Sequence, residues 1–130
     1  MKLSLIAALT VLSLAMPFGA AHAAQRQPFD QVSFAAAQVK GQRILVDISA
    51  TWCPTCKAQK PIISSLASEP ANSNLIIFDV DFDSQKPVVR SFGAQMQSTL
   101  IAFKGSTETA RSVGDTDPAS LAQLVASNAN

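Results

Sequence analysis

Residues 44–61 constrain the fold most, because they join an apolar strand to a helix through a pair of cysteines. The β-branched run at residues 44–48 favours a strand that is buried on both faces. Cys53 and Cys56 then lead into a pattern with one apolar helical face. A helix N-terminus carries partial positive charge and free N–H groups, which stabilise a thiolate. Two cysteines three residues apart at such a point are close enough to form a reversible disulfide.

The same stretch resembles the active-site segment of the thioredoxin family. In that segment a strand ending in V-D-F leads to W-C-x-x-C-K and then to a helix with an internal proline. The residues that match this pattern are Asp47, Trp52, Cys53, Cys56, Lys57 and Pro61. Residues 92–94 resemble the segment before the family's cis-proline loop, and residues 99–105 resemble the strand and hairpin that follow it. The resemblance covers nearly all of the chain after residue 28 and implies the thioredoxin fold.

Periodicity and turn residues predict the same class, an α/β fold with a central mixed sheet of about four strands flanked by helices on both faces. The predicted strands are residues 43–49, 75–81, 99–103 and 107–113. The predicted helices are residues 29–40 and 53–68, a short one opened by Pro87 and a last one capped by Asp117. We expect no N-terminal strand unless residues 24–28 supply a fragment of one.

Residues 1–23 have the pattern of an export signal. Lys2 supplies a positive start, residues 3–16 form an apolar run, and an A-x-A cleavage site ends at Ala23 after a Pro/Gly break. The run is short for a membrane span. We therefore predict cleavage after Ala23, a periplasmic location and a single thioredoxin-like domain over residues 24–130.

Composition excludes several kinds of chemistry. Cleavage removes His22, the only histidine of the chain, so neither Ser-His-Asp nor Cys-His nucleophilic catalysis remains possible. A mononuclear Cys₂His₂ zinc site is excluded for the same reason. The formal net charge of +1, without a cluster of Lys or Arg, argues against nucleic-acid binding. We expect no cofactor, no metal and a monomer.

The resemblance assigns roles to three residues. Cys53 is the expected nucleophile, more exposed than its partner and with a pKa below the reference value of about 8.5. Cys56 is the expected resolving cysteine. Asp47 is expected to be a buried carboxyl with a raised pKa that carries a proton to or from Cys56, the alternative being a partly exposed acid at the end of a strand. Asp79 stands where many thioredoxins have a lysine near this acid, so we expect the proton chemistry of Asp47 to differ from that of the family, and we expect its pKa to be raised if it is buried without a cation.

Trp52 and the loop residues Gln97, Ser98 and Thr99 are the substrate-binding residues that the resemblance implies. Ser98 occupies the position of the family's cis-proline. A cis bond costs about 2.5–4 kcal/mol before an ordinary residue, against roughly 0.5–1 before proline. We therefore predict a trans Gln97–Ser98 bond and a rearranged loop that keeps Ser98 near Cys53. If this loop has lost substrate docking, Ser98→Pro should speed disulfide exchange.

Pro54, Thr55 and Lys57 are expected to tune the thiolate. Pro54 removes one N–H, Thr55 offers a hydroxyl to the Cys53 thiolate, and Lys57 gives mild support by its charge. Strong thiol oxidants of the family often have Pro-His between the cysteines, and this chain has no such cation. We expect a reduction potential of about −200 to −270 mV, more that of a reductant than of a strong oxidant.

These patterns predict a thiol:disulfide oxidoreductase of the cell envelope that acts on protein thiols and disulfides. The resemblance further suggests a membrane electron carrier of the DsbD/CcdA kind as a partner. Two other classes remain open, a soft-metal module using the two cysteines and a thioredoxin-fold binding protein without turnover. A purely structural disulfide is disfavoured, since closing so short a loop stabilises the fold little.

Overall fold

The computed structural model describes residues 22–129, in which strands and helices mostly alternate along the chain. Their order is β1 (Gln25–Pro28), α1 (Gln31–Val39), β2 (Arg43–Ser49), α2 (Pro54–Ser68), β3 (Leu75–Asp81), α3 (Lys86–Ser91), β4 (Thr99–Lys104), β5 (Thr107–Val113) and α4 (Pro118–Ala126). The predicted export signal lies outside the described residues, except for His22 and Ala23. No helix of the described part is both long enough and apolar enough to cross a membrane.

The strands form one mixed sheet in the order β1-β3-β2-β4-β5. β3 runs parallel to both β1 and β2, while β4 runs antiparallel to β2 and β5. The predicted mixed sheet is confirmed, but it has five strands and not about four. The additional strand is β1, whose sequence QRQP has no apolar alternation. It pairs along an edge through main-chain groups, which residue composition does not reveal.

Two apolar cores lie on opposite faces of the sheet. The core beneath α1 and α3 includes Phe34, Val89, Ile44, Val46 and Ile48. The core beneath α2 and α4 includes Leu45, Ile63, Leu66, Leu121 and Leu124. Since successive strand residues point to opposite faces, Asp47 shares the α2 face with Leu45, on the side of the sheet that carries the dithiol helix.

A buried cation at the start of β2 ties the opposite end of the sheet together. Arg43 is buried, and in the described part of the chain it joins no ion pair. Its guanidinium instead donates to neutral oxygens only, those of the Asn72, Asn74 and Asn128 side chains and of the Ala71 and Val125 carbonyls. This network fastens the α2–β3 connection and the end of α4 to β2.

Arg43→Met should lower the free energy of unfolding by about 2–4 kcal/mol, because it leaves buried amide oxygens without donors. Urea denaturation at neutral pH measures the change. Arg90→Met, at an exposed position of α3, is the matched control and should stay within about 0.5 kcal/mol of the parent protein. A stability of Arg43→Met equal to that of the control would show that packing alone holds this end of the sheet.

Candidate active site

The two cysteines lie at the end of the β2–α2 connection and in the first turn of α2. Cys53 is the N-cap of α2 and Pro54 occupies the first helical turn, so the predicted start of the helix is shifted by one residue. Cys53 and Cys56 form a disulfide, with their Cα atoms 5.3 Å apart. The Cys56 backbone N–H donates to Cys53 Sγ over 3.1 Å. A free helical N–H is thus directed at the sulfur of Cys53, where it stabilises negative charge.

Both cysteines are enclosed in the disulfide form. Cys53 is 1% and Cys56 3% exposed, and they cluster with Ala50 and the partly buried Phe82. The expectation that Cys53 is the more exposed of the two is therefore wrong for this state. Apolar surroundings disfavour a thiolate. The N–H of Cys56 and the burial of the two cysteines therefore have opposite effects on the stability of a Cys53 thiolate.

Trp52 forms the exposed edge of the site. Its side chain is 55% exposed, and its indole Nε1 donates to Asp83 Oδ2 over 2.7 Å. Asp83 also pairs with Lys86 at 3.8 Å, and the Lys86 ammonium lies 3.8 Å from the centre of the Phe82 ring. The segment after β3 thereby fixes the orientation of Trp52 next to the dithiol.

Asp47 is buried in β2, as predicted, and it has a cationic partner. Arg26 of β1 donates from Nη2 to Asp47 Oδ2 over 2.7 Å. The same guanidinium binds Asp79 through Nε and Nη2. The position at which the family often carries a lysine holds an acid here, and an arginine from the neighbouring edge strand supplies the positive charge.

Burial is the main influence on the protonation of Asp47. Removal from water raises the pKa of Asp47, the charge of Arg26 lowers it, the charge of Asp79 raises it again, and the Arg26 hydrogen bond and the Lys60 charge lower it. The net direction is upward, as expected. A carboxyl with a raised pKa is suited to accept and return a proton near neutral pH.

The loop before β4 holds Ser98 in an unusual backbone conformation. The described residues contain no cis peptide bond, so the predicted trans Gln97–Ser98 bond is confirmed, and Ser98 has φ +59°. Its carbonyl accepts from Gly114 N–H at 2.9 Å and from Gln59 Nε2 at 3.3 Å. Because Gln59 follows Cys56 by about one turn of α2, this loop is fastened to the dithiol helix.

The hydroxyl groups of this loop are directed at its own backbone. Ser98 Oγ donates to the Gln97 carbonyl at 2.5 Å, and Thr99 Oγ1 donates to the Met96 carbonyl at 2.7 Å. Ser98 and Thr99 are buried, Gln97 is half-buried and Met96 is exposed. In this conformation the side chains of Gln97 and Met96 are the ones accessible to a substrate.

The predicted tuning residues surround the first turn of α2. Pro54 and Lys57 are exposed and Thr55 is half-buried. Lys57 joins no ion pair within residues 22–129. The hydrogen bond to Cys53 Sγ comes from the backbone of Cys56 and not from the Thr55 hydroxyl.

Three residues of the site were not foreseen, namely Arg26, Gln59 and Asp83. The acid at residue 79 was a usable signal, because a buried carboxyl beside a second carboxyl is costly to ionise and favours a nearby cation. Gln59 donates to the Ser98 and Asp115 carbonyls while its Oε1 is buried without a partner. Nothing in its position on an amphipathic helix indicates this contact.

Metal ligation has few candidates in the described part of the chain. Among residues 22–129 no group of three or more Cys, His, Asp or Glu side chains is arranged to hold a metal ion. The two cysteines are joined to each other, and a tetrahedral site would require further ligands.

Comparison with known proteins points in one direction. The thioredoxin family model matches residues 25–127. A thioredoxin of Chlamydia trachomatis is 35% identical over 99 residues, which cover 76% of this chain and 94% of that protein. A thioredoxin of Echinococcus granulosus is 34% identical over 94 residues, or 72% and 85% of the two chains. The crystal structure of Trxlp from Edwardsiella tarda superposes with a TM-score of 0.76 at 38% identity, covering 78% of this chain and 98% of that one.

Asp47→Asn should make the protein more stable at pH 7. The unfolded pKa of an aspartate is about 3.9, and the folded pKa of Asp47 is raised chiefly by burial. The unfolded chain therefore ionises more readily, and the parent protein loses stability as pH rises from about 3.9 through the folded pKa. Urea denaturation at several pH values should show a gain that disappears near pH 3, below both values.

Glu69→Gln, a change at an exposed acid, controls for the loss of one negative charge and should leave this pH dependence unaltered. A lower stability of Asp47→Asn at pH 7 would show that the attraction of Arg26 outweighs the cost of burying the carboxylate.

Variants of Ser98 should report the strain of its backbone. A non-glycine residue in the left-handed region costs about 1–2 kcal/mol, so Ser98→Gly should be more stable than Ser98→Ala by about 1 kcal/mol. Proline requires φ near −65°, so Ser98→Pro should lose about 2 kcal/mol or more. Any faster disulfide exchange in the proline variant then requires a different loop conformation. Equal urea midpoints for all three variants would contradict a strained Ser98.

Proposed function

Because this chain belongs to the thioredoxin family and is a thiol–disulfide oxidoreductase, we propose that it works in the cell envelope as a reductant of protein disulfides. The observation that carries the proposal is the hydrogen bond from the Cys56 N–H to Cys53 Sγ at the start of α2. This bond favours Cys53 as the sulfur that becomes a thiolate, and so as the nucleophile.

The reaction proceeds by two exchanges between sulfurs. The Cys53 thiolate attacks one sulfur of a substrate disulfide, forming a mixed disulfide and releasing the other substrate sulfur as a thiolate. Cys56 gives its proton to the Asp47 carboxylate and, as a thiolate, attacks Cys53 Sγ. The Cys53–Cys56 disulfide forms and the second substrate thiolate leaves. Two electrons pass from the dithiol to the substrate, and the electron source must restore them.

The surroundings of Cys53 support a reductant over a strong oxidant. Strong thiol oxidants have a reduced form that is stabilised relative to the disulfide. In the described chain a single N–H donates to Cys53 Sγ, and the two cysteines cluster with the apolar Ala50 and Phe82. Pro54 at the first helical position contributes no N–H. The thiolate is therefore stabilised only modestly.

A location in the cell envelope is supported by the N-terminal pattern alone. Residues 1–23 combine a positive start, an apolar run and an A-x-A cleavage site. An exported reductant requires a supply of electrons, because its compartment is oxidising. A membrane electron carrier of the DsbD/CcdA kind is the proposed source, and exported proteins with disulfides are the proposed substrates.

A trapping experiment tests function and location together. The full chain with its leader is expressed as Cys56→Ser in a bacterium, and the periplasmic fraction is separated without reductant. We expect disulfide-linked complexes with exported proteins, because the mixed disulfide can no longer be resolved. The uncomplexed protein should have the mass of a chain that begins at Ala24.

Cys53→Ser is the matched control and should trap nothing. Complexes formed by Cys53→Ser in place of Cys56→Ser would reverse the assignment of the nucleophile, and retention in the cytoplasm would contradict the location. Equilibration of the parent protein with glutathione should give a potential of about −200 to −270 mV, whereas a value near −120 mV would make it an oxidant.

A further inference from the structure

One guanidinium is divided between two carboxylates beneath the dithiol helix. Arg26 Nε donates to Asp79 Oδ2 at 2.9 Å, and Nη2 donates to Asp79 Oδ1 at 2.5 Å. The same Nη2 donates to Asp47 Oδ2 at 2.7 Å. Asp47 and Asp79 are register partners on the parallel strands β2 and β3, so their side chains lie on one face, and Arg26 reaches both from β1.

One of the three side chains is buried and the other two are partly exposed to water. The exposed fraction of the side chain is 3% for Asp47, 32% for Arg26 and 36% for Asp79. Arg26 and Asp79 line a cleft of about 480 Å³ together with Lys60 of α2 and Ser49 of β2. The ion pair of Arg26 with Asp79 thus stands between the buried carboxyl and the solvent in the cleft.

Charged groups from three elements of the fold surround Asp47. They are Arg26 of β1, Asp79 of β3 and Lys60 of α2. The two cysteines stand at the start of the same helix α2. Burial lowers the pKa of Arg26, but the hydrogen bonds and charges of Asp79 and Asp47 outweigh this effect and raise that pKa above its ordinary value. The guanidinium is therefore positively charged whether Asp47 is ionised or not.

We propose that Arg26 is a positioning residue of the resolving step, which holds the Asp47 carboxylate ready for the proton of Cys56, and that this proton leaves through the cleft beside it. The two hydrogen bonds to Asp79 keep Arg26 in place when Asp47 is protonated and its own attraction for the cation is lost. Asp79 thereby acts on Asp47 through Arg26. The proposal rests on the dithiol chemistry proposed above.

The proton balance of the step is closed by water. The Cys56 S–H bond breaks, its proton goes to an oxygen of Asp47, and the electron pair stays on the sulfur that attacks Cys53. Protonated Asp47 then loses the proton to solvent on the side of the cleft, through the 3% of its side chain that stays exposed, and regains its charge beside Arg26. Arg26 itself neither gains nor loses a proton. It therefore influences the ionisation equilibrium of Asp47 and does not relay the proton.

Removing the positive charge of Arg26 and removing the negative charge of Asp79 should shift the ionisation of Asp47 in opposite directions, which tests this arrangement. Arg26→Gln removes the attraction for the carboxylate and should raise the pH at which Asp47 ionises by about 1 unit, within the range that a neighbouring opposite charge produces. Asp79→Asn removes a like charge and leaves Arg26 to Asp47 alone, so it should lower that pH. The readouts are the carboxyl ¹³C shift of Asp47, in oxidised and reduced protein, and the pH profile of the resolving rate in single-turnover mixing.

Arg90→Gln, an exposed change of the same charge, is the control and should leave both profiles unaltered. Arg26→Lys keeps the charge, and should bring the Asp47 titration back towards that of the parent protein even if Arg26→Gln folds poorly. Shifts in the same direction for Arg26→Gln and Asp79→Asn, or none beyond the control, would overturn the proposal.

The two proposals fail in different ways. If the Asp47 titration shifts in opposite directions but the parent protein resolves no mixed disulfide, the proposed function is wrong. If the parent protein reduces disulfides and its resolving rate has the same pH profile in all variants, the role of Arg26 is wrong and the function stands.

Discussion

The parallel pairing of β2 with β3 and of β3 with β1 is the constraint on which the site depends. It aligns Asp47 with Asp79 across the ladder and brings Arg26 onto the same face. Two adjacent carboxylates, one of them buried, repel each other and are costly without a cation. The short edge strand β1 therefore matters to the site, because its Arg26 carries the positive charge that allows an acid to lie beneath the dithiol helix.

Two arginines illustrate how surroundings decide the role of a partly or fully buried cation. Arg43, at the start of β2, donates only to neutral oxygens and joins chain segments that are distant in sequence. Its contribution is to the stability of the fold. Arg26 is only partly buried and binds two carboxylates, one of them the buried Asp47, so its contribution extends to the protonation of Asp47.

The dithiol shows a similar balance of opposing effects. The N–H of Cys56 stabilises a thiolate at Cys53, and the apolar cluster in which both cysteines are buried opposes it. The strained loop at Ser98 is tied to α2 by Gln59, and Trp52 is held by Asp83. The rim of the site is thus held by side chains from outside the cysteine motif, around a disulfide whose two cysteines are themselves buried.

The sequence by itself determined the strand, the helix and the cysteine pair, because each depends on local periodicity, capping and spacing over a few residues. It also determined that the Gln97–Ser98 bond is trans, since the cost of a cis bond is a property of the residue pair. Only the tertiary structure decided that QRQP forms a strand and that Arg26 meets Asp47, because edge pairing and ion pairs join residues far apart in the chain. The burial of both cysteines was decided in the same way, by packing against Ala50 and Phe82, which no local pattern encodes.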